Sequence, residues 1–275
     1  MQPLVTAEQL AFLQQHEAVV ILDCRMGPDP QAGRRAYHAA HIPGAVYFHL
    51  DEDLSSPMGE HGGRHPLPDL AVIAAKLGAA GIGPTTRVVA YDDQGQYASR
   101  AWWLLRYLGH ESVQVLDGGY AAWVALGLPV TAAVPGPEPR TFEPRPQPDM
   151  IASMEEVRDR PASLTVIDAR SAARFAGQPD LLDEKYGHIP GAANRPWMES
   201  VGPDGRWKSV AELTARFAPL GNPQQQIHHC GSGVTACVNL LAMEHAGLQG
   251  ARLYVGSWSD WCTYPENLIA TGKEQ

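Results

Sequence analysis

An internal repeat constrains the fold of this chain more than any other feature. The tripeptide Asp-Cys-Arg at residues 23–25 recurs as Asp-Ala-Arg at 168–170, and the pentapeptide His-Ile-Pro-Gly-Ala at 41–45 recurs at 188–192. Beyond these motifs the halves align at a constant offset of 138 residues, which pairs Asp92 with Cys230, Gly109 with Gly247, Gly118 with Gly256 and Trp123 with Trp261. Such a constant offset indicates two copies of one structural unit.

Each copy alternates short β-branched runs with amphipathic segments. This alternation is typical of a mostly parallel sheet covered by helices on both faces, so the sequence predicts an α/β fold with two tandem domains. We expect the first domain at residues 1–132, a Pro-rich linker at 133–149, and the second domain at 150–275. Predicted strands are 19–22, 87–91, 114–116, 165–167, 226–229 and 252–254, and capping boxes predict helix starts at Thr6, Ser153 and Ser209.

Composition narrows the possible functions. The chain is 44% apolar and 19% charged, as in ordinary globular proteins, and its net charge of −9 argues against nucleic acid as a partner. It has no long apolar run and no basic-then-apolar N-terminus, so we expect neither a membrane span nor a cleaved secretion signal. The cysteines at 24, 230, 237 and 262 form no CxxC pair and no zinc spacing. We therefore expect no disulfide framework, no metal site and a reducing, cytoplasmic location.

The stretch around Cys230 carries the clearest chemical signal. Residues 226–247 predict a strand end, a tight Gly-Ser-Gly loop and a helix start. The unpaired N–H groups and the macrodipole of a helix start favour a thiolate over a thiol, and glycines at 231 and 233 let the backbone amides converge on one point. This pattern predicts a nucleophilic cysteine that handles an anionic group. The alternative is a structural role, because buried cysteines and Gly-Ser-Gly turns are both common.

Two enzyme families use a cysteine in such a loop. Cysteine phosphatases need an arginine just after the loop to bind phosphate, and here that position is Ala236. The hexapeptide Cys-Gly-Ser-Gly-Val-Thr at 230–235 instead resembles the active loop of the rhodanese-like sulfurtransferases, in particular their 3-mercaptopyruvate branch. The resemblance implies tandem rhodanese-like domains, no cofactor, and a persulfide on Cys230 that is bound by the loop residues Gly231, Gly233, Val234 and Thr235.

The resemblance also implies unequal roles for the two copies. Asp92 stands where the second copy has Cys230, and a carboxylate cannot accept sulfane sulfur, so we expect a catalytically silent first copy. Arg174 falls where the family places an arginine that binds the donor's carboxylate or sulfonate; the alternative is a solvated surface arginine. The second arginine that is usual in the mercaptopyruvate branch is missing from the shorter loop 177–187, where Lys185 is the available cation.

A second set of residues carries over by the same resemblance. In the mercaptopyruvate enzymes a serine in the active loop acts with a histidine and an aspartate from the N-terminal half, and the matching positions are Ser232, His65 and Asp51. Such a group polarises the substrate carbonyl or moves a proton, and only geometry can establish it. The alternative is that Asp51 caps a turn and His65 lies on a loop.

The sequence therefore predicts a sulfurtransferase that moves sulfur from a small anionic donor to a thiol, a thioredoxin-like protein or cyanide, with 3-mercaptopyruvate favoured. Two alternatives stay open. The same scaffold can use thiosulfate, although thiosulfate enzymes typically carry Arg and Lys where this chain has Gly231 and Ser232. The chain can also be a non-catalytic binding or redox-sensing module in which Cys230 is oxidised reversibly.

Other residues near these motifs are expected to serve the structure. Arg25 and Arg170 are expected to pair with the aspartates two residues before them, and Trp123 and Trp261 to lie in the core. His228 and His229 are candidates for tuning the sulfur, although strand residues in such positions more often pack. Cys237, seven residues after Cys230, is expected to point away from the loop.

Overall fold

The chain divides into two compact units in the computed structural model, which describes residues 1–272. The first unit contains residues 1–56, 68–147 and 203–207. The second contains residues 57–67, 148–202 and, within the described part of the chain, 208–272. Two short segments, 57–67 and 203–207, therefore pack in a different unit from their neighbours in the sequence.

A five-stranded parallel sheet forms the centre of the first unit. Its strands are β1 (Leu4–Val5), β2 (Val19–Asp23), β3 (Ala45–Tyr47), β4 (Arg87–Tyr91) and β5 (Val113–Leu116). Their order is β1-β5-β4-β2-β3, and the pairings are parallel. Asp23 lies opposite Tyr91 in the register of β2 and β4, so both strands end at the same edge.

A four-stranded parallel sheet forms the centre of the second unit. Its strands are β6 (Thr165–Asp168), β7 (Ala193–Asn194), β8 (Gln226–His229) and β9 (Arg252–Leu253), in the order β7-β6-β8-β9. The register places Asp168 opposite His229, one residue before Cys230. The cysteine thus follows the carboxyl end of a central strand, where open α/β sheets bind ligands.

Helices flank both sheets and confirm the predicted α/β fold class. The first unit contains α1 (Ala7–His16), α2 (Ala32–Ala39), α3 (Leu50–Asp53), α4 (Leu70–Ala79), α5 (Gln96–Tyr107) and α6 (Gly119–Ala125). The second contains α7 (Met154–Arg158), α8 (Ala172–Phe175), α9 (Val210–Phe217), α10 (Ala236–His245) and α11 (Ser257–Trp261). Among residues 1–272, no helix has both the length and the apolar character needed to cross a membrane.

The predicted helix starts and strands are confirmed, with small shifts at their ends. Thr6 and Ser209 form complete capping boxes at the starts of α1 and α9, and Ser153 accepts the Glu156 amide at 3.1 Å at the start of α7. The short strands β1, β3 and β7 were not predicted. Two or three residues are too few for hydrophobic alternation to be recognised.

The repeat also extends to side-chain contacts. Each copy buries an Asp-Arg ion pair at the end of a strand, as predicted. The distance is 2.6 Å between Arg25 and Asp23 at the end of β2, and 2.7 Å between Arg170 and Asp168 at the end of β6. Each of these guanidinium groups also stacks on an aromatic ring, at 4.0 Å from the ring centroid for Arg25 over Tyr120 and 4.5 Å for Arg170 over Trp258. Trp123 and Trp261 are 1% and 3% exposed and belong to the two cores, as expected.

Candidate active site

Cys230 lies directly after β8, at the carboxyl edge of the second sheet, and is buried. Its main-chain N–H donates to Ser257 Oγ at 3.1 Å, and its carbonyl accepts from the Trp258 N–H at 3.0 Å. Residues 231–235 then form a tight loop, and α10 begins at Ala236. The predicted order of strand, loop and helix start is confirmed.

The two glycines of the loop each meet a different requirement. Gly233 has φ +77°, and a Cβ there would lie 2.2 Å from the Val255 carbonyl oxygen. A Cβ at Gly231 would lie 2.9 Å from Nη2 of Arg64 and 3.1 Å from Nη2 of Arg174. Gly233 is therefore needed for the turn itself, whereas Gly231 leaves room for two guanidinium groups beside the cysteine.

Ser257 has a strained backbone conformation and binds the residue that follows β8. It is the one non-glycine residue with positive φ, +57°, among residues 1–272. Its hydroxyl donates to the Tyr254 carbonyl at 2.9 Å and accepts from Cys230 N. A left-handed serine costs roughly 1–2 kcal/mol, and such strain is concentrated at functional sites.

Arg174 lies in α8 and turns its guanidinium towards Gly231 and an acidic segment, residues 180–183. Its Nη2 is 2.5 Å from Asp183 Oδ2, and its Nε contacts the Asp180 carboxylate. The side chain is 21% exposed. The structure thus places Arg174 beside the cysteine loop and not on a distant surface.

Arg64 is a second guanidinium at the same place, and it was not predicted. Its Nη1 donates to Asp183 Oδ1 at 3.1 Å and to the Leu182 carbonyl at 3.0 Å, while Nη2 faces Gly231. One signal for Arg64 is present in the sequence, because it directly precedes the predicted site residue His65. Lys185, the cation expected to substitute for a second arginine, donates instead to the Cys262 carbonyl at 2.7 Å.

Ser232 and His65 lie together in the second unit. Ser232 Oγ and His65 Nδ1 share a hydrogen bond of 2.8 Å, whose direction follows the tautomer of the imidazole. Asp51 belongs to the first unit, in the first turn of α3, where its Oδ2 lies 4.0 Å from His49 Nδ1. The pairing of Asp51 with His65 stays a prediction.

The last two predicted loop residues complete the connection to α10. Val234 is 5% exposed and belongs to the buried side of the loop. Thr235 is half-buried and stands at the N-cap of α10, where its side chain makes no capping hydrogen bond. The binding of an anion by their main-chain N–H groups stays a prediction.

The two histidines before the cysteine are fully buried and uncharged. Burial lowers the pKa of His228 to about 3, with His229 and Arg216 adding to the shift. Burial also lowers the pKa of His229, although Asp168, 3.7 Å away, opposes this effect. Neutral imidazoles supply no positive charge to the sulfur, so the local positive charge comes from the arginines.

Cys237 differs from its expected placement. Because α10 begins at Ala236, Cys237 lies in the first helical turn, and its thiol contacts the Gly233 carbonyl at 3.4 Å. It therefore points back towards the loop, because a side chain in the first turn reaches the carbonyl four residues earlier.

Burial raises the pKa of Cys262 to about 12, which leaves that thiol protonated at neutral pH.

The corresponding loop of the first copy shows what this geometry binds. The Asp92 carboxylate accepts main-chain N–H groups from Gln94 at 2.9 Å, Tyr97 at 2.6 Å, Ala98 at 2.9 Å and Gly95. By the offset of 138, these amides correspond to those of Ser232, Thr235, Ala236 and Gly233. In the first copy a ring of loop amides therefore surrounds an anion at the strand end, and the repeat leads us to expect the same arrangement around Cys230.

Comparisons with known proteins agree with the sequence resemblance. The family model described as "Rhodanese-like domain" matches residues 6–126 and 153–264. A probable 3-mercaptopyruvate sulfurtransferase from Pseudomonas aeruginosa is 43% identical over 279 residues, covering 98% of each chain. A thiosulfate sulfurtransferase from Cricetulus griseus is 35% identical over 260 residues, covering 90% of this chain and 86% of its own.

A solved structure extends the likeness to three dimensions. The 3-mercaptopyruvate sulfurtransferase from Leishmania major has a TM-score of 0.85 and 30% sequence identity to this chain. The match covers 94% of this chain and 74% of the Leishmania chain.

Proposed function

The chain belongs to the rhodanese-like sulfurtransferases, with two copies of the domain, and from this premise we propose that it moves sulfane sulfur from 3-mercaptopyruvate to a thiol acceptor through a persulfide on Cys230. The observation that carries the proposal is the environment of Cys230. The residue stands at a strand end before a loop of amides, and two guanidinium groups face the neighbouring Gly231.

The first half-reaction forms the persulfide. The Cys230 thiolate attacks the donor's sulfur, and the donor's C–S bond breaks with its electron pair moving into pyruvate enolate. The enolate takes a proton at carbon, the donor's S–H proton is released, and pyruvate leaves. The loop amides stabilise the negative charge on the outer sulfur of the persulfide.

Ser232 and His65 are proposed to act on the donor's keto group. Their hydrogen bond of 2.8 Å supports this role because a hydroxyl linked to an imidazole can donate to a carbonyl oxygen and exchange a proton. General acid–base groups of this kind contribute roughly 10²–10⁴-fold to rate, so His65→Ala is expected to lower kcat within that range.

The second half-reaction returns the enzyme to its starting state. The acceptor thiolate attacks the outer sulfur, the S–S bond breaks, and Cys230 leaves as a thiolate. We propose a thiol or a thioredoxin-like protein as the natural acceptor, with cyanide as a laboratory substitute. A reducing compartment such as the cytoplasm fits this cycle, because the four cysteines are free thiols.

Intact-mass spectrometry tests the persulfide directly. Incubation with 3-mercaptopyruvate is expected to add one sulfur atom, about 32 Da, and cyanide is expected to remove it, whereas a sulfinate of similar mass would survive cyanide. Cys230→Ser is expected to abolish the gain with the fold intact. Substantial turnover by this variant would refute the covalent mechanism.

Thiosulfate is the second candidate donor, and the name of the Cricetulus griseus relative favours it. The loop argues for mercaptopyruvate, because it carries Gly231 and Ser232 where thiosulfate enzymes typically have two cations. Measuring kcat/KM for both donors decides between them. A tenfold or greater preference for thiosulfate, about 1.4 kcal/mol in transition-state binding, would overturn the assignment.

A further inference from the structure

A groove with an excess of positive charge lies beside β7, outside the cysteine loop. It has a volume of about 690 Å³, and its lining residues belong to the second unit. Five charged side chains line it: the cations of Arg195, Lys208 and Arg216 and the carboxylates of Glu199 and Glu212. We call the space between these five residues the basic groove.

Two of the three cations in the basic groove are not paired with a carboxylate. Arg216 pairs with Glu199, and its Nη2 donates to the Pro196 carbonyl at 2.7 Å. The half-buried Arg195 uses Nη1 to donate to one main-chain carbonyl at 2.8 Å. In the described part of the chain, no carboxylate oxygen lies within 4.0 Å of the Arg195 guanidinium or the Lys208 ammonium.

The second carboxylate of the groove is already bound elsewhere. Glu212 Oε2 accepts from the Ser209 main-chain N–H at 3.0 Å and from the Ser209 hydroxyl at 2.6 Å, in the capping box of α9. Burial lowers the pKa of Arg216, and the nearby positive charge of Arg195 adds to this shift. Like charges thus repel each other in the groove, and a negative group placed there would relieve the repulsion.

Main-chain hydrogen bonds connect the basic groove to the strands around Cys230. Arg195 follows β7 directly, and its main-chain N–H donates to the Asp168 carbonyl at 2.9 Å at the end of β6. Asp168 in turn lies opposite His229 of β8. Neighbouring strands are about 4.8 Å apart, so the Arg195 main chain lies roughly 10 Å from the strand that leads to Cys230. The groove therefore lies at the same carboxyl edge of the sheet as the cysteine.

The size and surroundings of the groove favour a protein over a small anion as its ligand. A volume of about 690 Å³ is far larger than a phosphate or sulfate ion and is in the range of sites that hold drug-sized molecules. Residues 195–198 read Arg-Pro-Trp-Met, and Met198 is 62% exposed. Arginine, methionine and tryptophan are enriched in protein–protein interfaces.

We propose that the basic groove is the docking surface for a protein acceptor, which presents an acidic patch to Arg195 and Lys208 and its thiol to Cys230. The inference rests on the proposed function: the acceptor thiolate attacks the outer sulfur of the persulfide, and Cys230 leaves as a thiolate. Because the chain has a net charge of −9, an acidic partner is attracted only where cations are concentrated.

Two matched thiol peptides test this docking surface. Each has one cysteine and a spacer of about four Gly or Ser residues, which reaches roughly 14 Å when extended. The spacer is followed by a run of glutamates in one peptide and of glutamines in the other. With 3-mercaptopyruvate as the donor, the measured quantity is the ratio of kcat/KM for the Glu peptide to kcat/KM for the Gln peptide. A general loss of activity cancels in this ratio.

The groove variant Arg195→Gln/Lys208→Gln is expected to lower this ratio about 3- to 10-fold, because exposed ion pairs are individually weak. The control Arg140→Gln/Arg145→Gln removes two positive charges from exposed positions of the first unit and is expected to change the ratio less than about 1.5-fold. In about 1 M salt, which screens charges beyond about 3 Å, the effect of the groove variant is expected to disappear. A ratio that the groove variant leaves unchanged, or that both double variants lower equally, would overturn the proposal.

Binding without turnover separates the docking surface from the sulfur chemistry. The same peptides with serine in place of cysteine carry an uncharged dye, and fluorescence anisotropy measures their affinity. The parent is expected to bind the Glu peptide more tightly than the Gln peptide, and the groove variant is expected to lose about 3- to 10-fold of this preference. Competition by inorganic phosphate at constant ionic strength would identify a small-anion site and contradict a protein acceptor.

The proposed function and the docking surface fail separately. If the parent transfers no sulfur from 3-mercaptopyruvate to cyanide, the proposed function fails, while anisotropy still reports on the groove. If the parent does so but binds the two serine peptides equally, the proposed function stands and the docking surface is wrong. Thermal unfolding of each variant shows whether the fold is retained.

Discussion

The two copies use the same loop for different purposes, and the comparison separates scaffold from chemistry. In the first copy the Tyr120 N–H donates to the Asp92 carbonyl at 2.9 Å, and in the second the Trp258 N–H donates to the Cys230 carbonyl at 3.0 Å. These pairs are related by the offset of 138. The backbone frame is therefore retained, while the side chain at the strand end has changed from carboxylate to thiol.

The residues at the two strand ends explain why one copy is a candidate enzyme and the other is not. Asp92 fills the ring of amides with its own carboxylate, so no external anion is needed there. Cys230, the proposed nucleophile, stands at the same position, and the neighbouring residue is glycine instead of Asp93. A small residue next to the nucleophile leaves space for cations, whereas a carboxylate there repels an anionic donor.

The largest expected effect comes from giving the second copy the residue of the first. In Cys230→Asp the new carboxylate is expected to accept the loop amides as Asp92 does, and sulfur transfer is expected to fall to background because no nucleophile remains. Turnover of 3-mercaptopyruvate and intact mass after incubation with it measure the effect. Any cyanide-removable sulfur on this variant would show that the exchange of Cys for Asp at the strand end does not account for the difference in sulfur transfer between the two copies.

The second effect concerns the buried charge of the first copy. Burial raises the pKa of Asp92 from 3.8 to about 6, although four amide hydrogen bonds oppose the shift. A carboxyl whose pKa is higher in the folded state stabilises the fold most below its unfolded pKa. That stabilisation is lost as the pH rises through about 6. The resulting loss is roughly 2 kcal/mol between pH 4 and pH 7.

Asp92→Asn removes this titration and tests it. The free energy of unfolding of the parent minus that of the variant is expected to decrease as pH rises from 4 to 7, as measured by denaturant titration at several pH values. Asp149→Asn, which removes an exposed carboxylate, is the control and is expected to show a much smaller change. A pH-independent difference for Asp92→Asn would contradict the buried charge.

A smaller effect is expected at Ser257, which corresponds to Gly119 in the first copy. Both residues have φ +57°, so the second copy places a side chain where the first has none. Ser257→Ala keeps the strain and loses two hydrogen bonds, whereas Ser257→Gly also relieves the strain. We expect the glycine variant to be more stable than the alanine variant by about 1 kcal/mol in denaturant unfolding. The reverse order would show that the left-handed backbone is unstrained.

The smallest effect is expected from the reverse exchange. Asp92→Cys in a Cys230→Ser background places a thiol at the first strand end, beside Asp93. We expect no sulfur to be gained from 3-mercaptopyruvate, because the adjacent carboxylate repels the donor's negative charge. Mass spectrometry with the single Cys230→Ser variant as control measures this. A cyanide-removable gain of about 32 Da would show that the loop alone suffices for transfer.

The sequence predicted the parts of the structure that depend on local pattern. The repeat and the apolar runs located β2, β4, β6 and β8, and the motif at 230–235 located the loop between β8 and α10. Arg64 was not predicted, because the one sign that residues 57–67 pack on the second unit was the resemblance-based pairing of His65 with Ser232, which says nothing about the residue before His65. The orientation of Cys237 was wrong because it depended on where α10 begins, and helix starts are uncertain by one or two residues.

The membership of residues 57–67 in the second unit limits how the protein can be dissected. A fragment that begins at the linker would contain the nucleophile, the loop and Arg174, but it would lack Arg64 and His65. Such a half-length protein would lose the hydrogen bond between His65 and Ser232. The C-terminal module is therefore encoded in two separate stretches of the sequence, and one of them lies inside the N-terminal module.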